Sequence, residues 1–150
     1  MTITALFIMG SVAILLIGAV NSFAAELFPI RRAPEKPLFA LSQLHYLFFG
    51  FAIFTACAAC YHWLTTSTSQ PPDERLGKLS FWLMFIGFNI AFFPTWLRSG
   101  TPALLTEPVR LLSGSTGPEA SVGVCGFAVG ALMSIWNFVL ALRASPRLKE

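Results

Sequence analysis

The sequence predicts an all-α integral membrane protein, a single membrane domain over residues 1–150 built from four transmembrane helices. Three observations carry that expectation. Hydrophobic residues make up 55% of the chain and charged ones 11%, against about a quarter charged in soluble globular proteins; the mean hydropathy is +0.70. Four uncharged or nearly uncharged runs, at residues 3–25, 38–64, 79–97 and 121–142, reach the length of roughly 20 residues that a helix needs to cross about 30 Å of hydrocarbon. Every Asp, Glu, Lys and Arg, and every proline but Pro94, falls outside these runs. The net charge of +3 is spread over connections and tail, so no basic stripe exists to neutralise phosphates and a nucleic-acid partner is excluded.

The first run, residues 3–25, has no Lys or Arg before it and is longer than a signal-peptide core, so it reads as a retained helix. Gly10, Gly18 and Ala19 would let a neighbouring helix approach, and Asn21 and Ser22 mark an inward face. Residues 26–37 carry Arg31, Arg32, Glu35 and Lys36 among Pro29, Pro34 and Pro37, which cannot continue a helix. The second run, residues 38–64, would be about 40 Å long as one helix, with its ends in the headgroups. It holds Gln43, His45 and His62, and Ala52, Ala56 and Ala59 form a small-residue seam for packing. His62, flanked by Tyr61 and Trp63, reads as an interface anchor.

The link at residues 65–77 contains Pro71 and Pro72, then Asp73-Glu74 as a helix start. The third run follows, its Phe81, Trp82, Phe85, Phe92 and Trp96 reading as packing or lipid-facing groups. Residues 98–120, rich in Gly, Pro, Ser and Thr, must lie outside the bilayer core, because unpaired backbone is costly in hydrocarbon. The fourth run opens on Gly123, Gly126 and Gly130; Gly126 and Gly130 have the GxxxG spacing of close helix contact. Cys57, Cys60 and Cys125 lie in apolar runs and read as small buried hydrophobes, without the second pair that a zinc site needs. An even number of spans places both termini on one side. Arg75, Lys78, Arg143, Arg147 and Lys149 then oppose Arg31, Arg32, Lys36, Arg98 and Arg110, five against five, so charge does not choose that side. With no acidic residue inside a span and no internal repeat, a transporter is disfavoured.

The order of residues in the third run is more specific than its composition. Arg75-Leu76-Gly77-Lys78, then Phe81-Trp82-Leu83-Met84-Phe85-Ile86-Gly87, Asn89 and Phe92-Phe93-Pro94 closely resemble the penultimate transmembrane helix of heme-copper oxidase subunit I, the catalytic subunit of cytochrome c oxidase. Ala19-Val20-Asn21-Ser22 is similar to the end of that family's ninth helix, residues 38–50 to its tenth, and residues 121–149, with Asn137, to its twelfth. The resemblance implies the C-terminal four helices of a twelve-helix subunit, standing alone from Met1. It also implies a bacterial or organellar inner membrane, both termini cytoplasmic, and the Arg31 and Thr101 loops on the outer face.

The departures from the family pattern concern chemistry. The tenth helix of the family carries His-x-His, whose first histidine holds the high-spin heme and whose second holds the low-spin heme; here the positions are Gln43 and His45. An amide lacks the basic nitrogen lone pair that heme ligation uses. The family's His-Asp pair near a magnesium ion is replaced by Glu35 and Lys36, a cation where a cation should bind. Its Pro-Arg-Arg, which pairs with heme propionates, becomes Pro102-Ala103-Leu104. The copper ligands lie on helices this chain lacks.

No catalytic residue and no metal ligand is therefore expected. The candidate cofactor residue is His45, as an axial ligand to a heme or another porphyrin pigment; the alternative is a relic histidine hydrogen-bonded inside the bundle. The functional expectation is a non-catalytic, oxidase-derived accessory or structural subunit of a larger respiratory or photosynthetic electron-transport complex. Its partners would be the lipid bilayer and the other membrane subunits. The alternatives are a split C-terminal fragment of an oxidase subunit I, completed by another chain, and a small membrane cytochrome with one heme on His45.

Overall fold

The computed structural model describes residues 1–27, 44–68, 70–100 and 118–144, with residues 21, 24–27, 45, 93–100 and 118–120 described by backbone alone. Helix α1 spans Ile3–Leu27. A π-helical turn, His45–Gly50, runs directly into α2, Phe51–Ser67. Helix α3 spans Glu74–Gly100 and α4 spans Pro118–Arg143. The described residues form no strand, so the all-α expectation holds. Three helices among the described residues are long and apolar enough to cross a membrane, over Ile3–Val20, Tyr46–Ser67 and Ser121–Arg143. The expected run at 79–97 lies inside α3, whose side chains are described only as far as Phe92. The expected helical start at residues 38–43 lies outside the described residues.

Apolar side chains point both ways, as they do in a helix surrounded by lipid. In α1, Phe7 and Ile14 are buried while Ile8, Met9, Val12 and Leu16 face outward. Rings fill the centre. Phe7 stacks on Tyr61 at 5.3 Å and meets Phe81 edge-on at 5.2 Å, while Phe54 meets Phe81 edge-on at 5.9 Å. Such offset and edge contacts add about 0.5–1.5 kcal/mol each beyond area burial.

Helices α3 and α4 cross at backbone contact. A Cβ on Gly87 would meet the backbone of Phe127, the Gly123 oxygen at 2.7 Å and the Gly126 carbonyl carbon at 2.9 Å. At Gly130 a Cβ would strike the Ser80 oxygen and the Met84 nitrogen at 2.8 Å. Gly126 differs: its added Cβ would sit at ordinary contact, 3.7 Å from Gly87 Cα. The GxxxG expectation is therefore corrected in its membership. Gly87, Gly123 and Gly130 make the crossing, and the Gly126 position has room for a methyl group.

The small-residue seam on α2 is also corrected. Ala52, Ala56 and Ala59 are exposed. The inner face is Phe54, Ala58, Tyr61 and Leu64, because the rings of α1 and α3 select aromatic partners there. Of the cysteines, Cys57 is half-buried while Cys60 and Cys125 are exposed; all three are free. The expectation that they are buried is met only in part.

Polar residues join the helices. Ser80 donates to the Gly130 carbonyl at 2.9 Å and hydrogen-bonds Ser134. Ser134→Ala is expected to lower stability by about 0.6 kcal/mol, the average for a hydrogen bond between transmembrane helices, and Ser80→Ala by more, since it also removes the Gly130 contact. Denaturant titrations of both variants in detergent would measure the difference. At the mouth of α3, Asp73 caps the helix as expected, its Oδ1 accepting the Arg75 and Leu76 N–H groups at 2.7 and 2.9 Å. Glu74 pairs with Lys78 at 2.8 Å, and that hydrogen bond holds its exposed carboxyl below the ordinary value.

Candidate functional site

The candidate site is built around the π-helical turn, whose first residue is His45. Such turns are rare and recur at functional sites. This one is held from two sides. Tyr46 is fully buried, its ring edge-on to Phe88 at 5.2 Å and its hydroxyl donating to Asn89 Oδ1 at 3.3 Å. Asn89 in turn donates from Nδ2 to the Phe85 carbonyl at 2.8 Å. Two glycines let the turn settle: a Cβ on Gly18 of α1 would press on Leu47 at 3.0 Å and Tyr46 at 3.2 Å, and one on Gly50 would strike Phe88 at 2.6 Å and Ile14 at 2.8 Å.

On the outer side, Leu44, Phe48, Phe49 and Ala52 line an apolar groove of about 380 Å³. His45 lies next to Leu44 in the chain, at the start of this stretch. Among the described residues, the groove's lining contains no polar side chain. A heme needs an axial nitrogen ligand, an apolar wall for its ring and cations or hydrogen-bond donors for its two carboxylates. The described residues offer the wall and one imidazole-bearing position, which is half of such a site. The side chain of His45 lies outside the described residues, as do Gln43, Glu35, Lys36 and the segment from Pro102 to Leu104. Among the described residues, no group of three or more His, Cys, Asp and Glu could hold a metal ion.

His62 is exposed near the end of α2, its carbonyl accepting the Thr65 and Thr66 hydroxyls at 2.8 and 3.0 Å. Its neighbour Trp63 is 53% exposed. The two histidines are about 25 Å apart along one helix, so the fold does not bring them together. Ser22 donates to the Gly18 carbonyl of its own helix at 3.0 Å, and the side chain of Asn21 lies outside the described residues. What the sequence reasoning missed is the partnership of Tyr46 with Asn89. The available signal was Asn89 itself, an amide in an apolar run, which needs a hydrogen-bond partner on a neighbouring element.

Comparison with known proteins agrees with this architecture. The family model described as cytochrome c and quinol oxidase polypeptide I matches residues 1–105, which take in α1, the π-helical turn, α2 and α3. The chain is 29% identical over 136 residues to a probable cytochrome c oxidase subunit 1-beta of Nocardia farcinica, covering 88% of this chain and 23% of that protein. It is 32% identical over 139 residues to a cytochrome c oxidase subunit 1 of Corynebacterium diphtheriae, covering 90% of this chain and 24% of the relative. A shorter stretch of 54 residues is 44% identical to the Corynebacterium efficiens cytochrome c oxidase subunit 1, covering 36% of this chain. The chain thus spans about a quarter or less of the length of these relatives. With a match over more than half its length, this helical membrane chain belongs to the cytochrome c and quinol oxidase polypeptide I family.

Proposed function

We propose that this chain is a non-catalytic, oxidase-derived transmembrane subunit that packs as a structural element within a larger electron-transport complex, with α3 as its fourth span. One contrast carries the reading. The helix-joining residues are intact and partnered, as at Ser80 with Ser134 and Tyr46 with Asn89, while the position that holds the oxygen-reducing heme in the resembled family is Gln43. A fragment that still reduced oxygen would need imidazole there. Helix α3, 27 residues and about 40 Å long, has no charge between Lys78 and Arg98, which supports its spanning. Four spans would put both termini on the same side, the cytoplasmic one by family resemblance.

A second reading, a split oxidase completed by another chain, is favoured by the relatives being about four times as long; Gln43 opposes it. If His45 does hold a heme or related pigment, the partner chain supplies the other axial ligand and the charge partners. The test is extraction in mild detergent through a tag, with identification of co-purifying chains, a dithionite-reduced spectrum and oxygen consumption. Co-purification with membrane subunits, and turnover of the assembly unchanged by Gln43→Ala, is the expected result. Oxygen reduction that fails with Gln43→Ala would overturn the proposal. A co-purifying chain that supplies the first eight helices of the same active site would replace it with the split oxidase.

A further inference from the structure

The inner face of α2 steps backward through Leu64, Tyr61, Ala58 and Phe54. Continued at about 3.6 residues per turn, it would reach Gly50 and then Leu47. The structure instead buries Tyr46 completely and leaves Leu47 half-buried. The π-helical turn His45–Gly50 has taken up one extra residue, so that tyrosine stands where an unbroken α-helix would put leucine. Only that substitution brings a hydroxyl to Asn89 Oδ1, at 3.3 Å. The amide is fixed in turn by its own bond to the Phe85 carbonyl. In α-helical register, Asn89 Oδ1 would face an aliphatic side chain in an apolar surround, and an unpaired polar atom there is strongly disfavoured.

We propose that Asn89 is a positioning residue for His45. By accepting the Tyr46 hydroxyl it holds the extra residue of the turn, and so fixes where position 45 and its neighbour Leu44 stand around the helix axis. Removing either partner removes what selects the wide turn, and the helix relaxes to α-geometry. Leu44, just ahead of the turn, then rotates by about 100° relative to α2. This concerns the backbone register and stands apart from whatever His45 binds.

Distances between paired nitroxide labels test it, in the full chain in lipid nanodiscs with Cys57, Cys60 and Cys125 replaced by alanine. One pair is Leu44→Cys with Val124→Cys, which reports the segment before the turn. The control pair is Thr55→Cys with Val124→Cys, after it; all three sites are exposed. Tyr46→Phe, which keeps the ring, and Asn89→Leu should each shift the first distance by several ångströms and leave the control unmoved. Combined, they should shift it no further than either alone. If either variant leaves the first distance unchanged, or the control moves as much, the bond is ordinary packing and the assignment is overturned.

Discussion

Gly87→Ala is expected to destabilise the bundle as much as any single methyl group added to it. The new Cβ would run into the main chain of α4 at Phe127, Gly123 and Gly126. Where the obstacle is the end of a flexible side chain, as at Gly77 under Ile3, a rotamer change relieves the clash. Main-chain atoms have no such freedom, so relief requires α3 and α4 to separate along their length. Separation would stretch the Ser80 contacts with Gly130 and Ser134, one to two turns along the same crossing. Overpacking costs about 1–3 kcal/mol in well-packed cores; with backbone as the obstacle, the upper end or beyond is expected. Gly123→Ala should match it, since its Cβ would meet the backbone of Ala91 and the Gly87 oxygen at 2.7 Å. Gly126→Ala should be nearly neutral. Unfolding of the three variants in detergent or bicelles checks the order, and equal losses at Gly87 and Gly126 would mean that the helices do not cross at Gly87.

The contrast between those glycines shows what sequence could and could not supply. Run length and hydropathy were enough for an all-helical membrane chain, because lipid leaves the backbone few ways to satisfy its own hydrogen bonds. The order of residues from Arg75 to Pro94 was enough for the family. Which glycine is touched was not legible. Gly123, Gly126 and Gly130 share one side of α4 at any spacing rule, and only the crossing point with Gly87 separates them. The seam at Ala52, Ala56 and Ala59 failed for a related reason. Outside the bundle an alanine loses nothing to lipid, so small size alone does not turn a helix face inward. Rings decided instead, with Phe54 and Tyr61 drawing α2 toward Phe7.

The candidate site was legible to a similar depth. His45 was selected on type and on family position. The wide turn beginning at that residue could not be read from the sequence, since it arises from a tertiary bond between residues 43 apart in sequence, Tyr46 and Asn89. Periodicity counted along α2 alone predicts Leu47 inside. A single amide on α3 moves that register by one.

Asn137→Leu is the second large effect expected, and its origin is polar instead of steric. Asn137 is 1% exposed and holds the peptide of Asp73 at two points, accepting its N–H at 2.9 Å and donating to its carbonyl at 2.9 Å. It also donates to the Tyr61 hydroxyl at 3.4 Å. Asp73 is the cap of α3, so this one amide ties the start of α3 to α4 and α2. The Asp73 carbonyl keeps a second partner in the Gly77 N–H at 3.0 Å, whereas its N–H would be left with none of the bonds described. Asp73 is exposed, so water can reach that N–H; the loss is that of three hydrogen bonds, each averaging about 0.6 kcal/mol between transmembrane helices. A loss of about 2 kcal/mol is expected, several times that of Ser134→Ala. Tyr61→Phe, which removes the longest of the three bonds and the hydroxyl's contacts with Ser134 and Ser80, should cost less than Asn137→Leu, because the Asp73 N–H keeps its partner. Amide exchange adds a local readout: with leucine at 137, the Arg75, Leu76 and Gly77 amides should exchange faster while those at the Gly87 crossing stay protected. Uniform acceleration along α3 would show instead that the clamp supports the whole bundle and not the cap.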